Sequence, residues 1–138
     1  MANLVITVTS IRLSTDCKSA IHHVKAGGIL VAGEFAYKTS AGLYLRGQSD
    51  GTAAEAEAIA FCLTGAGASG QYVAVLEGKC TFNPGAALTQ GETYILSHTS
   101  GKFAPVADWI AARYKTHAAI AIDANTWEFD PQPSGVTG

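Results

Sequence analysis

The fold is decided by the stretch AGGILVAGEFAYKTSAGLYL at residues 26–45, because PGAALTQGETYILSHTSGKFAP at residues 84–105 follows the same pattern. Four residues of the first stretch recur in the second at an offset of 58: Gly27, Leu30, Gly33 and Glu34 match Gly85, Leu88, Gly91 and Glu92. Gly42 recurs as Gly101 at an offset of 59. This self-similarity indicates a weak internal duplication of one supersecondary unit.

The repeat continues downstream, where AIAF at residues 58–61 matches AIAI at residues 119–122 with an offset of 61. Ala and Glu in TAAEAEAIAFCL (residues 52–63) favour helix, but the second copy carries Ile and Thr, which favour strand. We therefore predict equivalent strands at residues 58–63 and 118–123. Between the two copies, residues 71–82 are predicted to form one strand, or two that meet at a bulge at Gly78.

Turn residues recur along the whole chain and separate short runs rich in Val, Ile, Tyr, Phe and Thr. This spacing is typical of an all-β sandwich or barrel, and 138 residues fit one domain. We predict an N-terminal strand or arm at residues 1–20, a single β domain at 21–130 and an extended C-terminal tail at 131–138. The tail has Pro and Gly without an apolar cluster, so we expect it to be ordered only against a partner.

Composition narrows the function. Charged residues make up only 14% of the chain, against about 25% in a typical soluble domain, which favours an oligomer or an assembly component. The net charge is −2 and the basic residues are scattered, so we predict no nucleic-acid partner. No apolar run reaches the length of a transmembrane helix, so no membrane partner is predicted. A secretory signal is not expected either.

Three widely spaced cysteines, Cys17, Cys62 and Cys80, form no C-x-x-C motif. The odd number predicts reduced thiols in a cytoplasmic setting. Cys62 and Cys80 lie in apolar runs and are predicted to be small buried core residues.

Two groups of residues are candidates for chemistry. Ser97, His98 and Asp108 lie close together in GETYILSHTSGKFAPVADW (residues 91–109), but adjacent side chains of a strand point to opposite faces, so Ser97 and His98 are not predicted to form a catalytic pair. His22 and His23, near Asp16 and Cys17, lack metal-ligand spacing. We predict no catalytic residue, no metal and no cofactor.

Trp127 and Phe129 alternate in TWEFD and so share one face of a strand. They are predicted either to fill the core or to anchor an interface with another chain.

A family resemblance rests on several segments together: Gly33–Tyr37, Ala56–Ala60, Gly70–Gly78, Leu88–Gly101 and Ala104–Asp108. In this order they resemble the small capsid decoration (cement) proteins and related head-fibre modules of tailed bacteriophages, over roughly residues 24 to 124.

The resemblance implies a compact β-barrel or β-tulip-like domain, with extended arms, on the capsid exterior of a virion, made in the host cytoplasm. Its partners would be the major capsid protein and itself, as a homotrimer, and it would stabilise the shell by bridging neighbouring capsid subunits without enzymatic activity. Leu4, Val5, Ile6 and Val8 alternate as in a strand with a free edge, and we predict that they contact the capsid.

Two other functions stay open at this point. One is an adhesive module of a head or tail fibre that binds a host-surface glycan through Tyr44, Trp109 and Trp127. The other is a small hydrolase that uses Ser97, His98 and Asp108.

Overall fold

The chain is almost entirely β-structure. The structure is a computed structural model that describes residues 3–49, 54–97, 99–108 and 114–137. Within these residues, one sheet contains β2 (Ile21–Lys25), β3 (Phe35–Lys38), β4 (Tyr44–Arg46), β5 (Ala60–Cys62) and β6 (Tyr72–Glu77). The other contains β1 (Arg12–Leu13), β7 (Cys80–Asn83), β8 (Thr93–Leu96), β9 (Phe103–Pro105), β10 (Tyr114–Ala121) and β11 (Trp127–Thr137). Short 3₁₀ turns occur at Val8–Ser10, Thr15–Ala20 and Val106–Asp108.

The two sheets repeat one topology. The first sheet has the order β2-β6-β5-β3-β4, and the second has β7-β11-β10-β8-β9, with β1 added beside β7. The named strands pair with their neighbours in antiparallel fashion in both sheets. The all-β prediction and the internal duplication are therefore confirmed, and each copy forms its own sheet. The two sheets are separate, so the chain does not form a closed barrel.

Backbone hydrogen bonds fix which residues of the two copies correspond. The Gly33 N–H donates to the Cys62 carbonyl (2.7 Å), and the Gly91 N–H donates to the Ala121 carbonyl (2.9 Å). Cys62 thus corresponds to Ala121, an offset of 59 residues. The expected offset of 61 is wrong by two residues, which leaves each side chain on the same face because strands have a period of two.

The two copies turn opposite faces of the duplicated unit towards the shared core. Phe61 and Leu76 of the first sheet point towards the second sheet and belong to the shared core. Their counterparts in the β10–β11 pair are Ile120, which is 45% exposed, and Glu128, which lies on the outer face. The second sheet instead turns the opposite face inwards, with Ala119, Ala121, Trp127 and Phe129 in the core. The counterparts of two core residues of the first sheet therefore lie on the outer face of the second sheet, one of them charged and the other apolar and partly exposed.

An aromatic cluster fills the space between the sheets. Phe35 stacks on Phe103 with ring centroids 4.8 Å apart, and Phe61 meets Phe82 edge to face at 4.9 Å. Each ring is at most 1% exposed, so each contributes the full transfer free energy of a buried aromatic side chain, about 1.5–3 kcal/mol. These contacts across the sheets hold the two copies together.

Gly78 lies where the chain passes from the first sheet to the second. β6 and β7 belong to different sheets, and Gly78 between them has φ +124°. This backbone conformation suits Gly because a Cβ would be strained there. The predicted strand break at Gly78 is thus a crossover, and no bulge within one strand.

A disulfide joins Cys17 to Cys80, and their Cα atoms lie 5.0 Å apart. The prediction that these two thiols are reduced is therefore wrong. The reason is tertiary: the 3₁₀ turn Thr15–Ala20 packs beside β7, which brings together cysteines 63 residues apart. Cys62 remains a free, buried thiol, and the burial predicted for Cys62 and Cys80 is confirmed.

The C-terminal tail also differs from its prediction. Residues 131–137 continue β11, and Gln132 and Pro133 pair with His117 and Thr116 of β10. β7 pairs with β11 only at Trp127–Phe129, and no other strand in the described ranges pairs with the far half of β11 on that side. Pro is tolerated there because an unpaired edge requires no N–H. The tail is ordered by its own chain.

Candidate interaction surface

Residues 3–10 form the N-terminal segment, which lies against the second sheet. The Leu4 N–H donates to the Phe103 carbonyl of β9, and the Thr7 N–H donates to the Gly85 carbonyl, both at 2.7 Å. The segment forms no strand, and a 3₁₀ turn at Val8–Ser10 ends it. The predicted strand with a free edge is therefore wrong, because this backbone is already attached to two parts of its own sheet.

Comparison with the first sheet shows which contact the N-terminal segment replaces in the second sheet. There, the Gly27 N–H donates directly to the Tyr44 carbonyl of β4 (2.8 Å), so the chain after β2 closes against β4. Gly85 and Phe103 are the counterparts of Gly27 and Tyr44, at offsets of 58 and 59. In the second sheet the N-terminal segment lies between these two positions and fills the gap.

The four predicted contact residues divide into two pairs. Leu4 and Ile6 pack against the core between the sheets. Val5 is 80% exposed and Val8 is 45% exposed. The structure thus brings all four together, but of these four only Val5 and Val8 are exposed enough to offer a partner a substantial apolar surface.

A small cavity of about 130 Å³ lies along one side of the segment. Leu4, Ile6 and Val8 form one wall, and the opposite wall is the loop that contains Val31, which is 45% exposed. Ile29 in the same loop is 59% exposed. Val5 lies at a second pocket, beside Asn83 and Gly85. The exposed apolar side chains of the segment and of this loop, Val5, Val8, Ile29 and Val31, are here together called the valine surface.

Glu34 places a charge beside the cavity. It is only 3% exposed, and its Oε1 accepts hydrogen bonds from the Val31 N–H and from Arg46 Nε, both at 2.8 Å. The ion pair with Arg46 compensates the buried carboxylate. By fixing the Val31 backbone, Glu34 also holds one side of the valine surface in place.

No protein-family model matches the chain, and no curated protein matches it at a significant level. The function therefore has to be argued from the surface itself.

Trp127 and Phe129 are not part of any surface. Both are 0% exposed and lie within the aromatic cluster, where Trp127 contacts Phe103 at 5.2 Å between ring centroids. Their prediction as interface anchors is wrong, and the core alternative is confirmed. Alternation correctly placed both rings on one face, but only the position of β11 inside the sheet decides that this face points inwards.

Ser97 is unsuited to be a nucleophile. It is 0% exposed, and its Oγ donates to Asn3 Oδ1 at 2.5 Å and accepts the Thr99 N–H at 3.0 Å. A hydroxyl in this position orders the turn after β8 and holds the N-terminal segment. His98 lies outside the described residues, and nothing is described of the Asp108 side chain.

Two residues near the candidate His22–His23 metal site, Asp16 and Cys17, take part in structural contacts. Cys17 is bound in the disulfide, and Asp16 Oδ2 accepts the Thr81 N–H at 3.1 Å. A hydrogen bond from Ser14 lowers the pKa of Asp16. Among the described residues, no three His, Cys, Asp or Glu side chains form a metal-binding group, and no helix in the described ranges is long and apolar enough to cross a membrane.

The aromatic residues suggested for glycan binding are largely inaccessible. Tyr44 is 3% exposed, and its hydroxyl donates to Glu77 at 2.6 Å; Trp127 is fully buried. Burial, then the Glu77 carboxylate, raises the pKa of Tyr44. Trp109 lies outside the described residues.

Proposed function

We propose that this chain is a structural virion protein that binds the outer surface of a phage capsid and stabilises it by bridging neighbouring capsid subunits. Its partners are the major capsid protein and further copies of itself, as a homotrimer, and it performs no catalysis. The observation that carries the proposal is the valine surface, in which apolar side chains are exposed on a backbone fixed by hydrogen bonds.

Exposed apolar side chains contribute to binding when a partner removes them from water. Val5 and Val8 keep 80% and 45% of their surface accessible, and complete burial of a Val side chain is worth about 1.5–3 kcal/mol. A contact of this size is weak for a single site. On a capsid, many copies act together, so a modest affinity at each site is sufficient to stabilise the shell.

The fixed backbone favours binding further. Leu4 and Thr7 are held by hydrogen bonds to Phe103 and Gly85, so the segment between them loses little conformational entropy when it meets a partner. Preorganisation of this kind increases affinity without any new contact. The proposal therefore differs from a free arm that adds a strand to the capsid: the contact is made by side chains.

The test is retention on purified heads of the phage that encodes the chain. We expect Val5→Asp and Val8→Asp to reduce cosedimentation with heads by about tenfold or more, since each places a charge in an apolar contact. Ile120→Asp is the matched control, because Ile120 is as exposed as Val8 but lies on the outer face of the second sheet.

All three variants should unfold at the temperature of the parent chain, because substitutions at exposed positions change stability by less than about 0.5 kcal/mol. Equal retention of the parent chain and both valine variants would disprove the valine surface as the contact. Deletion of residues 2–9 is a poorer test, because it also removes Leu4 and Ile6 from the core.

A further inference from the structure

The outer edge of the first sheet is a five-residue strand, β2, with pairing on one side only. Sheet order places β2 at the end, next to β6. Just beyond β2, Ala26 bridges Tyr44 of β4, and within the described residues no strand pairs with residues 21–24 on their outer side. An edge strand carries a row of unpaired N–H and C=O groups that can bind another extended chain.

The register shows which groups of β2 face outwards. His22 lies opposite Val75 and Val24 opposite Val73, and the next pair in this phase, Ala26 and Gln71, is joined by a hydrogen bond from the Ala26 N–H to the Gln71 carbonyl (2.8 Å). Antiparallel ladders alternate between bonded and non-bonded pairs. The intervening residues, Ile21, His23 and Lys25, therefore direct their N–H and C=O groups away from β6.

In the second sheet, the equivalent edge is covered by an added strand, β1. β7 occupies the place there that β2 occupies in the first sheet. Its edge is covered by β1, with Arg12 opposite Asn83 and Leu13 opposite Phe82. The duplicated unit thus accepts an added strand at this position. In the first copy, β4 meets only the end of the corresponding edge, at Ala26, and no strand of the described residues covers the rest.

Two lysines, Lys18 and Lys25, supply positive charge beside the β2 edge. His22, His23 and Lys25 are exposed, as is Lys18 in the preceding 3₁₀ turn. Lys25 Nζ lies 5.5 Å from the centre of the Tyr72 ring, which is 68% exposed beside it. Positive charge next to free backbone groups is complementary to an extended segment with acidic side chains.

We propose that β2 binds an extended, acidic segment of a partner protein, which adds to the first sheet as a sixth strand. This site goes beyond the proposed function and does not depend on it, because its experiment uses neither capsids nor the valine surface. Failure of one proposal therefore leaves the other standing.

The direct test is amide hydrogen exchange followed by NMR on the intact chain. The probe is an acetylated, amidated hexapeptide of alternating Val and Glu, VEVEVE, and the comparison peptide is VKVKVK. We expect millimolar VEVEVE to slow exchange at the His23 amide by about tenfold, and to leave the amides of His22 and Val24, already bonded to β6, nearly unchanged. An equal response to both peptides, or no response at His23, would overturn the proposal.

Two variants at one position separate backbone from side chain. His23→Pro removes the outward N–H without removing a bond to β6, and proline is tolerated on edge strands. His23→Ala keeps that N–H and removes only the imidazole. We expect His23→Pro to weaken VEVEVE binding by about tenfold and His23→Ala to weaken it much less, with circular dichroism confirming that both fold. Equal binding by the proline variant and the parent chain would contradict strand addition.

Discussion

At the scale of single residues, the duplication provides its own controls, and Glu34 and Glu92 illustrate this. They occupy equivalent places in the two copies, and among the residues that the structure describes only Glu34 has an arginine partner. Glu34 Oε1 accepts from Val31 N–H and Arg46 Nε. Within the described part of the chain, no group hydrogen-bonds to the buried Oε1 of Glu92.

We therefore expect Glu34→Ala to lower the free energy of unfolding by about 1–3 kcal/mol, because it leaves the Val31 amide and Arg46 without their acceptor. Glu92→Ala should change it by less than about 0.5 kcal/mol, since no bond to that oxygen is lost. Urea unfolding of both variants gives the comparison. Equal losses at the two positions would mean that the Glu34 ion pair contributes nothing of its own.

Because of Cys62, the free energy of unfolding depends on pH in the alkaline range. Burial, and next the Glu34 carboxylate, raises the pKa of this thiol from 9.0 to about 12. Above pH 9 the unfolded chain releases a proton that the folded chain keeps, so stability present below that pH is lost as the pH rises towards 12. The slope is at most about 1.4 kcal/mol per pH unit.

Cys62→Ala should remove this slope between pH 9 and 10, as measured by urea unfolding at pH 8, 9 and 10. Above pH 10 a further decline remains in both proteins, because burial also raises the pKa of Tyr44. Identical pH dependence of the variant and the parent chain would show that Cys62 is not the responsible group.

At the scale of elements, the contact of the N-terminal segment with the second sheet depends on Gly85. Gly85 has φ +79°, and a Cβ built on it would collide with the Thr7 carbonyl. Gly91 has nearly the same φ, +80°, but a Cβ there would meet no atom within 4 Å. The two positions therefore separate backbone strain from contact with the segment.

Gly91→Ala should cost about 1–2 kcal/mol from the left-handed conformation alone. Gly85→Ala should cost clearly more and should release the segment, which faster amide exchange at Leu4 and Thr7 would reveal. If the two variants lose the same stability and Leu4 and Thr7 stay protected, the segment is not held in the way described.

These elements also show which parts of the fold sequence patterns predict and which they do not. Glycines at matched offsets and β-branched runs predicted the repeated strands correctly, because turns and alternation are local properties. The same alternation in Leu4 to Val8 predicted a strand that does not form, since pairing is decided by the distant groups of Gly85 and Phe103. Likewise, TWEFD indicates a shared face for Trp127 and Phe129, but not whether that face is covered.

At the scale of the whole molecule, the Cys17–Cys80 disulfide covalently joins the turn that precedes the first sheet to the second sheet. It connects the turn before β2 to β7 and closes a loop with a sequence separation of 63. Such a link stabilises mainly by restricting the unfolded chain. The count of three cysteines could not reveal it, because Cys62 makes the number odd while being buried and unpaired.

Replacement of Cys17 and Cys80 by Ser together should lower the free energy of unfolding by about 2–4 kcal/mol. The parent chain should lose a similar amount when a reductant is added, whereas the double variant should not respond. Peptide mapping without reduction checks the pairing. An unfolding midpoint that is unaffected by reductant would contradict a stabilising disulfide.

The position of the N-terminal segment has a consequence for the order of folding. The first sheet is built entirely from residues 21–77, so its pairing partners are all available early in synthesis. Leu4, by contrast, bonds to an acceptor on Phe103 that comes 99 positions later in the chain. Contacts so distant in sequence form slowly. The N-terminal segment therefore cannot dock on β9 until the chain has been made as far as Phe103, long after the partners within the first sheet have become available.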